Sequence, residues 1–300
     1  MLAALLLQAV PLIFDADMDS DCDDVAALAV LHALADRGEA EILATLSSST
    51  NPDTPRCMAA VNAYYKRPGL PLGAPRGKGA VGRPSKYARG VAGETAVEPR
   101  DAVALYEEIL KARPEGSLTI VTVGYLTNLA ELLRRPGGPE LAKKARLWVC
   151  MGGNFIGKPA TDDLKLGNVN FTTEKEGALH ALRNWPGPVV FAGREVCSVS
   201  SGLKIGARFA ELPEKHPVRI AYALYFGGAP KDRHVADLCA VLFAVRGAGE
   251  RWTLSDEGRM DLRPDLTFTW EAGRSQRYLL KRSPEADRAI ERELEALILP

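Results

Sequence analysis

Short apolar runs alternate with Ala- and Leu-rich helical segments along this chain, and that alternation most constrains its fold. "VPLIF" (10–14), "EILATLS" (41–47), "LTIVTVG" (118–124), "ARLWVCMGG" (145–153) and "GPVVFAG" (187–193) read as buried strands. Between and after them, residues 23–38, 54–69, 101–112, 126–135, 172–184, 235–247 and 283–298 read as helices, several with acids or Pro at the start and Gly at the end. Such βα units predict an α/β fold: a single domain over residues 10–300 with a Rossmann-like, mostly parallel open sheet flanked by helices. At 300 residues with 46% apolar content, the chain can bury a full core without disulfides or structural metal. Ligands of such sheets bind beyond the carboxyl ends of the strands.

The remaining segments are less regular. Residues 70–97 are rich in Gly, Pro and basic residues and predict a long surface excursion, a candidate lid. Residues 266–281 predict a hairpin around a Gly-containing turn. Residues 1–9 fit either a truncated signal segment, which would mean export, or a lead-in to the first strand of a cytoplasmic protein. No later run has the roughly 20 apolar residues of a membrane span. Lys plus Arg equal Asp plus Glu at 38 each, which argues against nucleic-acid binding by charge. The five cysteines are far apart with no C-x-x-C, so they predict buried thiols rather than a zinc ribbon or disulfide framework.

Directly after the first strand, "FDADMDSDCDDVAAL" packs six aspartates between Asp15 and Asp24, and no Lys or Arg precedes Arg37. Helix capping by Asp21, Asp23 or Asp24 accounts for one or two of them. Asp19 and Asp21 read as solvated loop residues. An EF-hand loop fails on spacing: counting from Asp15, Ser20 stands where Gly is needed and Ala26 where Glu is needed. Converging carboxylates in an α/β crevice point instead to a hard divalent cation, Ca2+ or Mg2+, held by oxygen ligands. Water activated beside a free carboxylate is then a hydrolytic nucleophile.

Two hydrolase families begin this way. "LIFDADMD" resembles the start of haloacid-dehalogenase-like Mg2+ phosphatases, with Asp15 as nucleophile and Asp17 as acid/base, but Asp19 stands where Thr or Val is usual. "DADMDSDCDDVAAL" is more similar to the opening signature of the nucleoside hydrolases of the inosine-uridine-preferring type. That resemblance continues in order through "ILATLSSSTN", "IVTVGYLTNLA", "LWVCMGGNF", "NVNFTTEKEGALHAL" and "VADLCAVLFAV". It implies a nucleoside hydrolase-like domain over residues 10–300 and Ca2+-dependent hydrolysis of the N-glycosidic bond of ribonucleosides, giving ribose and free base.

By motif position the resemblance implies that Asp17, Asp24, Asp237 and the backbone carbonyl of Val123 hold the ion. Asp17 would also be the general base. Asp23 and Asn51 would hold the ribose hydroxyls, and Met151, Asn168 and Asn170 would line the ribose pocket. From the residues alone, Asp237 reads equally as a helix cap, Asn51 as a turn residue before Pro52, Met151 as core packing and His234 as a loop residue. Trp148 and Trp185 read as core. Three positions depart from the family pattern. Asp19 replaces Gly, Asn168 replaces Glu, and Ala236 replaces the His or Trp beside Asp237, which removes a proton donor for the leaving base unless His234 or Tyr225 substitutes. A homologue that binds ligand without turnover is therefore a further reading. The implied partner is a small-molecule nucleoside, and a homo-oligomer, dimer or tetramer, fits the resemblance.

Overall fold

The structure is a computed structural model that describes residues 8–76, 80–155, 169–197 and 201–300. In chain order its first half comprises β1 (Val10–Ala16), α1 (Asp23–Asp36), β2 (Ala40–Ser47), α2 (Asp53–Tyr64), β3 (Leu72–Ala74), α3 (Ala88–Ala92), β4 (Arg100–Asp101), α4 (Ala102–Ala112), β5 (Leu118–Thr122), α5 (Thr127–Arg134) and α6 (Gly138–Ala142). The second half continues with β6 (Ala145–Met151), α7 (Val169–Thr172), α8 (Lys175–Asn184), β7 (Val189–Ala192), α9 (Arg194–Cys197), β8 (Lys204–Ile205), α10 (Pro217–Phe226), β9 (Arg233–His234), α11 (Ala236–Arg246), β10 (Trp252–Leu254), β11 (Gly258–Leu262), β12 (Phe268–Ala272), β13 (Gln276–Lys281) and α12 (Pro284–Ile298).

A single α/β domain results. The main sheet runs β12-β11-β13-β7-β6-β5-β1-β2-β3-β4, and every pair from β13 to β4 is parallel. The strands are apolar on both faces because helices cover both. Leu12, Phe14 and Ala16 join one core with α1, α10 and α11, while Ile13 joins the other with α4, α5 and α8. From β1 the chain steps to β2, β3 and β4 on one side, then crosses through α4 to β5 on the other. The strand order therefore reverses between β1 and β5, which opens a crevice beyond their carboxyl ends.

Helix ends follow local chemistry. Asp101 caps α4 by accepting from the Ala104 amide at 2.8 Å, and Ser283 caps α12 by accepting from Ala286 at 3.2 Å. The helix predicted over 54–69 stops at Tyr64, where Lys66 turns the chain with φ of 61°. All five cysteines are free and buried, as expected. Trp148 and Trp185 pack together at 5.0 Å, also as expected. Among the described residues no helix is long and apolar enough to cross a membrane.

Two expectations are corrected. The excursion over 70–97 holds regular structure: β3 pairs with β2, and α3 contributes Ala88 and Val91 to the core. A three-residue strand is too short to show a period in sequence. The predicted hairpin over 266–281 does not form either. β12 pairs antiparallel with β11, whereas β13 joins β7 in parallel and carries β10 and one bridge to β11. The alternating burial of β11 lets it pack one face beside β12, so the true hairpin lies one strand earlier.

Candidate active site

The crevice at the β1/β5 boundary is built from the aspartate run. Along β1, Asp15 falls on the same face as Ile13 and points under the site. It accepts from the Tyr106 hydroxyl at 2.9 Å and from the Asn128 amide at 3.1 and 3.2 Å, and Asn128 also donates to the Ser47 carbonyl. Burial pushes its carboxyl up to about 7, against the pull of these hydrogen bonds. Asp15 is a brace between β1, α4 and α5. Its carboxylate is taken up by Tyr106 and Asn128, which argues against its serving as a phosphatase nucleophile.

Asp17 follows just past the end of β1. Met18 adopts φ of 56°, turning the backbone so that its amide reaches Asp24 Oδ1 at 3.3 Å. Asp17 accepts from the Asp19 amide at 3.3 Å and from the Ser20 hydroxyl. The turn after β5 passes so close that a Cβ on Gly124 would lie 2.2 Å from the Asp17 nitrogen and 2.5 Å from Ser48 Oγ. Ser48 Oγ itself is buried without a hydrogen-bond partner, a polar atom available to a ligand.

Asp23 and Asp24 open α1, whose N-cap position is Cys22 with no side-chain cap, so the capping expectation is not met. Asp237 lies in the first turn of α11, behind Val235 rather than capping. Its amide points at Asp23 Oδ2 at 3.5 Å. The positive ends of α1 and α11 thus both meet the acidic cluster. Asp17, Asp23, Asp24 and Asp237 are between 1% and 5% exposed. The carboxyls of Asp17, Asp24 and Asp237 are raised well above the usual range, first by burial and then by neighbouring aspartates, including one another. Tyr87 donates to Asp24 Oδ2 at 3.4 Å.

Asp19 is not solvated, which corrects its expected status, whereas Asp21 keeps 35% of its side chain exposed. Asp19 is 1% exposed and accepts from Tyr125 Oη at 2.6 Å, Ser49 Oγ at 2.5 Å and the Arg83 amide at 2.9 Å. It thereby fastens residues 81–85 to the site, helped by Ser85 donating to the Met18 carbonyl. Asp21 pairs with Arg233 at 2.5 Å and accepts from Tyr225 Oη at 2.9 Å. His234 is half-buried on β9, opposite Lys204, rather than in an open loop.

The other predicted residues sit as follows. Asn51 donates to the Arg83 carbonyl at 2.8 Å and accepts from the Asp53 amide at 3.0 Å, the turn geometry expected before Pro52. Asn170 donates to the carbonyls of Val123 at 2.9 Å and Met151 at 3.2 Å, joining the ends of β5 and β6. Met151 is 9% exposed at the crevice and touches Asn170 through its sulfur. Asn168 lies outside the described residues. Tyr87 and Arg233 carry no local motif and Tyr125 sits unremarked inside "IVTVGYLTNLA", so only their distant partners reveal them.

The donor set of buried carboxylates and a backbone carbonyl suits a hard cation by its chemistry. Its side chains are spread, however. Among the described residues no three His, Cys, Asp or Glu are grouped as an ion's ligands would be. Asp17 is turned to Ser20, and Asp24 to Met18 and Tyr87.

A family profile described as inosine-uridine preferring nucleoside hydrolase matches residues 12–284. No curated protein matches the chain. Among solved structures, a plant nucleoside hydrolase superposes with a TM-score of 0.73 at 16% identity, over 97% of this chain and 99% of that one. The inosine-uridine preferring nucleoside hydrolase from Bacillus anthracis gives 0.72 at 16% identity, over 96% and 99%. An inosine-guanosine nucleoside hydrolase gives 0.69 at 17% identity, over 96% and 98%.

Proposed function

The chain belongs to the inosine-uridine preferring nucleoside hydrolase family, and from that premise we propose that it cleaves the N-glycosidic bond of ribonucleosides in a Ca2+-dependent reaction. The products are ribose and a free base. The observation that carries this reading is the family match over residues 12–284, with Asp17, Asp24 and Asp237 each buried near the sheet's switch point. Asp17, Asp24, Asp237 and the Val123 carbonyl would hold the ion, the carbonyl releasing or sharing the Asn170 amide. When bound, Ca2+ supplies the positive charge that offsets the carboxylates' repulsion and acidifies water for attack.

The chain's own groups do the rest. Asp17 takes the proton from the attacking water. Asp23 and Asn51 bind the ribose hydroxyls, while Met151 and Asn170 border the sugar. The transition state for cleavage at an anomeric carbon carries positive charge on the sugar, which the ring of aspartates opposes. Ala236 has no proton to give the leaving base. Tyr225 already donates to Asp21, and burial lowers the pKa of His234, so neither neighbour is a ready acid. These three facts favour the second reading, a homologue that binds the nucleoside with slow or no turnover.

The test is Asp17→Asn, which keeps size and removes the base. Turnover, followed by release of the free base, should fall about 100- to 10,000-fold. A variant with wild-type turnover would assign the base elsewhere.

A further inference from the structure

Arg233 reaches into the acidic crevice, and neither the ion site nor the general base uses it. It comes from β9, far along the chain, and its side chain is 12% exposed. Its Nε lies 3.4 Å from Asp23 Oδ1 and one terminal nitrogen lies 2.5 Å from Asp21 Oδ2. The other terminal nitrogen donates to Tyr225 Oη at 2.9 Å, and the guanidinium lies 4.7 Å from the centre of that ring. Tyr225 in turn donates to Asp21. Asp21, Arg233 and Tyr225 therefore form a closed ring outside the crevice, with one arm of the guanidinium reaching in to Asp23.

We infer that Arg233 is a positioning residue that fixes the Asp23 carboxylate for recognition of the sugar's vicinal hydroxyls, with Asp21 and Tyr225 as its anchors. The inference rests on the proposed role of Asp23 as a ribose ligand. Asp23 has its Oδ2 toward the Asp237 amide and its Oδ1 on Arg233, so its plane is defined from two sides while lone pairs remain for hydroxyl donors. The guanidinium fork is rigid and always charged, and its own orientation is set by the stacked phenol. A carboxylate held this way accepts from a hydroxyl at a fixed distance and angle. A sugar without the 2′-hydroxyl forfeits much of that interaction, so Arg233 acts on the choice between ribose and deoxyribose. Asp21, which no ion or sugar role absorbs, gains a function as the outer anchor.

The test compares kcat/KM for a ribonucleoside and its 2′-deoxy counterpart in wild type, Arg233→Met, Arg233→Lys and Asp21→Asn, with melting temperatures alongside. Arg233→Met should lower the ribo-to-deoxy ratio about tenfold or more by raising KM for the ribonucleoside. Arg233→Lys should recover part of the ratio, and Asp21→Asn should fall between. An unchanged ratio, or an equal loss on both substrates, overturns the inference. Should Arg233→Met not fold, Asp21→Asn carries the comparison. Should wild type release no sugar at all, the nucleoside-hydrolysis reading fails by itself. The inference is then read from protection against unfolding by free ribose and by 2-deoxyribose. A ribose preference in wild type that is lost in Arg233→Met sustains it, and equal protection in both proteins overturns it.

Discussion

Asp19 and Asp17 are two residues apart and equally buried, yet they do different things. Asp19 spends its carboxylate on Tyr125, Ser49 and the Arg83 amide, all within the protein, and so holds residues 81–85 over the β1 turn. Asp19→Asn keeps the volume but turns one acceptor oxygen into a donor, leaving Ser49, Arg83 or Tyr125 unpaired. The expected cost is about 2 kcal/mol, read as a lower urea midpoint with unchanged m-value. An unchanged midpoint would show that the clamp contributes nothing. At this scale the sequence separates Asp17, Asp23 and Asp24 only through the family motif. It does not reveal Asp19 or Asp21, because their partners lie at Ser49, Arg83, Tyr125, Tyr225 and Arg233, brought near by the fold alone. Local spacing carries no record of such pairings.

Elements differ in the same way. The helices with strong apolar faces and the buried strands were legible, since each encodes its own burial. β3, β10 and β11 were not, because each is short, lacks a continuous apolar run and takes its place from neighbours. The packing of α1 on α2 yields a pH prediction. His32 Nε2 contacts Asn62 Oδ1 at 2.9 Å, and its Nδ1 faces Arg67 at 3.4 Å, so a second ring proton would point at a guanidinium. Burial, helped by Arg67, lowers its pKa from 6.5 to about 4. The unfolded chain then binds a proton that the folded one refuses. The stability is complete above pH 6.5 and is lost as pH falls toward 4, by about 3 kcal/mol at most. Melting temperature should drop across that window, and His32→Gln should flatten part of the drop. An identical profile in the variant would place the acid sensitivity elsewhere, with His216, also lowered to about 4 by burial, the next group to replace.

The whole molecule explains why so many like charges are tolerated in one place. Net charge is zero over the chain, yet the crevice at the β1/β5 reversal gathers Asp17, Asp23, Asp24 and Asp237 under two helix N-termini. The resemblance that named this crevice from sequence also named the family, and the fold places those residues at the sheet's switch point. An ion that binds the folded protein alone also stabilises it by mass action, so Ca2+ should raise the melting temperature and chelation reverse it. The most direct measurement of the central claim is free reducing sugar released from a panel of purine and pyrimidine ribonucleosides, with Ca2+ present and after chelation. Hydrolysis of the N-glycosidic bond predicts ribose from at least one nucleoside, lost on chelation and restored by Ca2+. No ribose from any nucleoside with Ca2+ present, or release indifferent to chelation, would contradict it.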